Sequence, residues 1–293
     1  MTSRRQTFAL RLLLVLGIVG APRVARAQES NLPVYLQDRG TGIPTSQFGT
    51  YVRKGELLVY PFFEYYRDKD FEYKPSEFGF GIDQDYRGKY RASEGLLFMA
   101  YGLSDWLAVE LEAAVIDATL ETSLDDLSGI PEKIHESGLG DVEGQLRARW
   151  FRETERRPEV FSYFEAVAPL QKDKRLIGTQ EWELKLGAGL VKGFSWGTVT
   201  VRAAAEYARD EGERKLEFGE YAVEYLKRLS PRWRVYLGVE GEQDEVSLIP
   251  EAQWHVTDSI FIRFNSAFGV SSKATDWAPE IGVVLAFGSG RNE

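Results

Sequence analysis

The sequence predicts an all-β chain, a transmembrane antiparallel β-barrel of about twelve strands with both termini on the periplasmic side. Three observations carry that expectation. Apolar and polar residues alternate one by one along segment after segment, the links between segments fall alternately into a short and a long set, and aromatic side chains gather beside the short links. Successive strand residues point to opposite faces, so each such segment has one apolar and one polar face. A soluble sandwich buries the first, whereas a membrane barrel turns it to lipid and keeps the charges in a wet lumen.

The chain opens as a secretory signal: Arg4, Arg5 and Arg11, an apolar run over 12–21, then Ala25, Arg26 and Ala27. Small residues at the first and third positions of that tripeptide suit signal peptidase, which places cleavage after Ala27. The run is too short for the ~20 apolar residues of a spanning helix. Removing 1–27 takes five arginines and no acids, leaving 31 basic against 45 acidic side chains, a formal charge of −14. Such a charge excludes a nucleic-acid partner. There is no cysteine, although an exported chain could form disulfides. Residues 28–54 have no period and are rich in Gly, Pro, Thr and Gln, which leaves open a periplasmic segment or a plug inside the barrel.

The barrel is expected over 55–287, its strands at 55–67, 86–101, 107–121, 140–151, 159–170, 181–192, 196–209, 215–228, 232–242, 246–256, 259–270 and 279–287. Most reach the ~9–11 residues of a tilted membrane strand. The pattern is clearest where Val142, Gly144, Leu146, Ala148 and Trp150 alternate with Glu143, Gln145, Arg147 and Arg149. Lys or Arg on the lipid face at mid-membrane costs ~2–4 kcal/mol, so the charges belong inside. The short links are 102–106, 152–158, 193–195, 229–231 and 257–258, and the long ones 68–85, 122–139 and 171–180. Trp106, Trp150, Trp196, Trp233 and Trp254 fall beside the short links and form an expected interfacial girdle facing outer-membrane lipid. Tyr65, Tyr66, Tyr207, Phe218, Tyr221 and Trp277 suggest a second, at the other end. The last strand ends on Ile281, Val283, Leu285 and Phe287, similar to the terminal strand that outer-membrane assembly machinery reads, here with the tail 288–293 beyond it.

The lumen candidates are Glu143, Gln145, Arg147, Arg149, Glu183, Lys185, Arg202, Glu206, Arg234, Glu240, Glu251, Gln253, His255, Arg263 and Asn265. A ring of such donors and acceptors sets selectivity in a channel; paired off, it fills a narrow barrel. Both signs are interleaved along the sequence, without a ladder of one sign. No cofactor or metal is expected: His135 falls in a long link, and His255 has no second His or Cys. Asp125, Asp126, Glu132 and Glu136 read as a solvated loop, and Gly138-Leu139-Gly140 as a strand-start turn. No nucleophile, base and orienting partner occur together, so no enzyme is expected.

The turn Tyr101-Gly102-Leu103-Ser104-Asp105-Trp106-Leu107, followed by Gly138-Leu139-Gly140-Asp141-Val142, resembles the outer-membrane channels named after the meta-cleavage pathway of phenol degradation. The likeness is clearest over 86–152. It implies a barrel that takes up small, often aromatic, compounds, and it carries over no ligand residue. Passive passage of a small solute is the expected work. The alternative is a non-conducting structural or adhesive barrel whose outer loops bind a partner.

Overall fold

The computed structural model describes residues 32–179, 181–210 and 213–288. The expected signal peptide and the tail after Gly288 lie outside the described residues. Two short strands, β1 (Ile43–Pro44) and β2 (Tyr51–Val52), pair as a ribbon. The others are β3 (Leu57–Tyr73), β4 (Tyr86–Gly102), β5 (Leu107–Glu121), β6 (Lys133–Phe151), β7 (Glu159–Ala168) and β8 (Glu183–Phe194). After them come β9 (Gly197–Asp210), β10 (Glu213–Ser230), β11 (Trp233–Glu242), β12 (Glu245–His255), β13 (Ile260–Gly269) and β14 (Trp277–Phe287). From β3 to β14 each strand pairs with its neighbour in the chain, and β14 closes on β3 through pairs such as Ile281 with Phe63, giving a closed barrel of twelve strands. Closure leaves the barrel no free edge.

The faces are inverted relative to a soluble protein. Leu146, Leu186 and Val223 are 49%, 64% and 56% exposed, while Arg147 and Arg263 across the wall are 1% and 0% exposed. The alternation forces this once the sheet closes, because every second side chain must enter the lumen. Trp106, Trp150, Trp196, Trp233 and Trp254 all stay exposed at the short-turn end. Trp196 stacks between Phe194 and Tyr225, and Trp233 on Trp254. At the other end Phe218 and Trp277 face outward, but Tyr66, expected in that girdle, points into the lumen and lines a cavity there.

Several expected boundaries move at the long-loop end. β3 runs to Tyr73 and β6 starts at Lys133, so parts of the long links at 68–85 and 122–139 are strand. Beyond the membrane both faces of a strand are wet, and the alternation that marks the spanning part lapses. His135 accordingly sits on β6 beside Thr119, and Gly138-Leu139-Gly140 is a stretch of β6 beside a register shift, not a turn. Tyr73, Leu120 and Ile130 form a small buried cluster under this rim. Asp126 joins the same rim by accepting from the Tyr73 hydroxyl at 2.9 Å and the Ser128 N–H at 2.8 Å.

Inside, aromatic rings lie flat along the wall over glycine. A Cβ at Gly187 would come within 2.1 Å of the Tyr163 ring, and one at Gly189 within 2.4 Å of Phe161. Only glycine lets these rings fold back against β8, and the space they vacate is occupied by the N-terminal segment.

Candidate functional site

Residues 32–54 run through the lumen and meet inward side chains from much of the wall. Ile43 and Val52 are buried in a cluster with Leu58, Tyr60, Phe98 and Val284, and Phe48 stacks on Tyr236 at 5.4 Å. Arg147 donates to the Pro44 carbonyl at 2.9 Å. Ser46 donates to Glu110 from its N–H at 3.0 Å and its hydroxyl at 2.6 Å. Gln47 bridges the lumen, its amide N–H reaching Glu112 at 3.0 Å and its oxygen accepting from Arg263 at 3.1 Å. Asp38 accepts from the Arg228 N–H at 2.9 Å and pairs with Lys227. The 3-10 turn Val34–Leu36 lies so close to β8 that a Cβ at Gly193 would fall 1.9 Å from the Tyr35 carbonyl oxygen.

The inward arginines are the clamps of this insert. Arg39, from the insert itself, donates to Glu153 and Glu159 at 3.0 Å each and lies over the Tyr51 ring. Burial opposes its charge, but the attraction of Glu159, with Tyr51 and Glu153, outweighs it and raises the guanidinium pKa. Burial in turn pushes the Tyr51 phenol up to about 12. Arg147 pairs with Glu110 at 3.3 Å, bonds Gln145 and sits over Tyr163. Arg263 pairs with Glu251 at 2.5 Å over Tyr60. Arg202 gathers Glu220, Glu224 and Glu240 and lies over Phe48. Each buried cation thus has carboxylate and aromatic partners, which is what keeps its burial tolerable.

Above the insert, toward the long loops, is a cavity of about 360 Å³ floored by Phe48, Phe62, Leu96 and Ile249. Among the described residues its wall carries Glu64, Glu112, Glu220, Glu240, Glu242, Glu245 and Glu280, seven glutamates and no Lys or Arg. Below the insert, two cavities of about 400 and 110 Å³ are lined by Arg39, Arg53, Lys54, Arg149, Arg152, Arg228 and Arg234, with Glu56, Asp105, Glu153, Glu159 and Asp258. The signs that interleave along the sequence are therefore unevenly distributed along the barrel axis: acids outnumber bases above the insert, where Arg202 and Lys185 pair with some of them, and bases outnumber acids below it. Stagger between neighbouring strands brings residues of different sequence offset to one height, which a linear reading does not show.

Every predicted lumen residue faces inward, but they fall into separate groups. Glu143, Glu183, Lys185, Glu206 and Glu240 lie on the loop side, with Lys185 between Glu165 at 3.7 Å and Glu242 at 3.6 Å. Gln145 and Arg147 form one clamp, and Glu251, Gln253, Arg263 and Asn265 the opposite one; Gln253 donates to Glu251 at 2.7 Å and Asn265 to Glu280 at 2.8 Å. Arg149, Arg234 and His255 belong to the short-turn side, where His255 stacks on Phe261. Arg202 joins the insert to the acidic wall. The reading from sequence missed Glu64, Glu110, Glu112, Glu280 and the whole insert contact set. Glu110 and Glu112 were legible as the polar positions of Leu107–Glu121, whereas Arg39, Ser46 and Gln47 carry no periodic signal.

No protein-family model matches the chain, and no curated protein does either. Among solved structures, an outer-membrane channel from Pseudomonas putida F1 superimposes with a TM-score of 0.58 at 15% identity, over 84% of this chain and 100% of that one. The two share a fold. The translocator domain of the autotransporter NalP from Neisseria meningitidis gives 0.49 at 11% identity, over 80% of this chain and 89% of that one. The CymD monoaromatic hydrocarbon channel gives 0.40 at 10%, over 80% and 88%. Only the first of these three likenesses is close enough to speak for the fold.

Proposed function

We propose that this chain spans the outer membrane and gives passive passage to a small, largely apolar solute, uncharged or cationic. The observation that carries the reading is the cavity over Phe48, where, among the described residues, an apolar floor meets seven glutamates that outnumber the cations paired with them, Arg202 and Lys185. A cleft of one sign in low-dielectric walls concentrates counter-ions and repels its own sign, so an anion of equal size is disfavoured there. The outward tryptophans and the apolar belt support placement in a bilayer. The resemblance to channels of phenol degradation supports an aromatic solute, for which Phe48 and Phe62 supply stacking partners.

The seated insert favours a second reading, a barrel closed at rest. Ile43 and Val52 are 1% and 0% exposed, so passage requires the insert to shift. Single-channel conductance of the mature protein, with and without residues 28–54, tests both readings. Conductance in the full protein supports an open path, and conductance only after deletion supports the closed barrel. Silence in both would sink the channel reading and turn attention to the outer loops as a partner surface. Where either form conducts, liposome uptake should rank phenol and benzylamine above benzoate.

A further inference from the structure

The outer face of the barrel carries an unbalanced basic patch where β3 to β6 approach the loops. On β3 and β4 the outward series is apolar at Phe63 and Leu97 and gives way, toward the loops, to Arg67 and Arg91, both exposed. These two arginines are direct cross-strand partners, and Arg67 pairs on its other side with Trp277 of β14. Like charges placed opposite each other on one face, with Cβ atoms ~5 Å apart, destabilise a sheet. The neighbouring acids do not offset them. Glu121 pairs with Arg91 but stands opposite both Lys89 and Lys133, and Asp117 faces His135 at 3.7 Å. Among the described residues, Arg67, Lys89 and Lys133 make no ion pair, and all three are exposed. Across the barrel the outward side chains toward the loops are instead Tyr207, Leu216 and Phe218, so the patch belongs to one side of the wall.

Trp277 gives the patch its depth. Exposed tryptophans of a membrane protein sit at the level of the lipid head groups, and Arg67 is its direct neighbour. We propose that this patch binds the phosphate group of a glycolipid in the outer leaflet, with Arg67 and Arg91 on the phosphate oxygens and Lys89 and Lys133 flanking them. Adjacent guanidinium groups present parallel N–H donors that match phosphate oxygens, and the bound anion cancels the repulsion between them. A lipid suits the place better than free phosphate, because Phe63 and Leu97 lie exposed directly below and offer its acyl chains an apolar surface. The site rests on the placement of the barrel in the outer membrane with its long loops outward, and is independent of passage through the lumen.

The test is a binding titration of the mature, detergent-solubilised protein with lipid A, with lipid A stripped of its phosphates, and with inorganic phosphate. Saturable binding of lipid A is expected, with weaker binding of the stripped lipid and of inorganic phosphate. Arg67→Gln with Arg91→Gln should weaken lipid A by about tenfold or more, as loss of hydrogen bonds to a charged group implies, while Arg152→Gln at the short-turn end leaves it unchanged. Should the double variant lose heat-modifiable migration, the thermal midpoint of the wild-type protein decides: lipid A raises it and the stripped lipid does not. Absence of saturable binding, equal affinity for the stripped lipid, inorganic phosphate binding as tight as lipid A, or a folded double variant with wild-type affinity would each overturn the site alone. Failure of the wild-type protein to insert into liposomes would overturn the membrane placement, and the site with it.

Discussion

Replacing Arg147 by alanine should release the insert without opening the wall. Arg147 is 1% exposed and holds three things at once: Glu110 across β5, the side chain of Gln145, and the Pro44 carbonyl of the insert. Its removal leaves Glu110 buried at 6% exposure with only the two Ser46 donors. Breaking one partner of a buried ion pair costs about 3–5 kcal/mol. That cost falls on the seated state, because water reaches Glu110 once the insert moves away. At ~1.4 kcal/mol per decade, the seated-to-released ratio drops between about a hundredfold and a few thousandfold. The barrel ladder is untouched, so strand content by circular dichroism and heat-modifiable migration should match wild type. In planar bilayers the variant should show longer and larger openings. Arg152→Ala is the control, since Arg152 is 63% exposed and its pair with Asp105 is worth little. Identical open fraction and conductance in Arg147→Ala and wild type, in a correctly folded barrel, would refute the clamp.

Other outcomes follow from the same geometry. Glu64→Gln with Glu245→Gln removes two of the seven carboxylates of the outer cavity, and reversal potentials should show cation preference falling by about twofold or more. Gly193→Ala places a Cβ 1.9 Å from the Tyr35 carbonyl oxygen, so the start of the insert must move; the expected cost is about 1–3 kcal/mol, with faster proteolysis near residue 35. Burial raises the pKa of Asp126, but hydrogen bonds from Ser128 and Tyr73 outweigh this and hold the carboxyl below its ordinary value. A depressed carboxylate contributes stability above its unfolded pKa of ~3.9 and loses it as pH falls through the folded value. Amide protection factors in residues 123–128, the exchange rates corrected for their intrinsic pH dependence, should therefore hold at pH 4 and fall only below it.

The barrel was legible because its driving pattern is local. Two-residue alternation in Val142–Trp150 or Ile281–Phe287 fixes which side faces lipid wherever the strand meets a membrane, and the short turns fix the pairing. The strand ends beyond the membrane were not, since Ile134 and Glu136 share the lumen side there and obey no apolar rule. The insert was illegible for a different reason. Its bonds join residues far apart in the chain, as with Arg39 and Glu153 at a separation of 114, and nothing in a Gly- and Thr-rich stretch marks which wall residue it will meet. Likewise Glu64 and Glu280 look like isolated acids in apolar strands until the last strand pairs with the first and sets them side by side.

The separation of charge along the axis makes the lumen an electrical junction. A region in which negative groups outnumber positive ones, in series with one carrying more positive than negative groups, behaves as a rectifier for mobile ions. A field directed from the loop side inward drives cations out of the acidic region and anions out of the basic one toward the same middle, where they accumulate and carry current. The opposite field drains that middle. An open form of this barrel should therefore pass more current when the loop side is positive, and in a cell the sense of that asymmetry would follow the orientation in which the barrel was inserted.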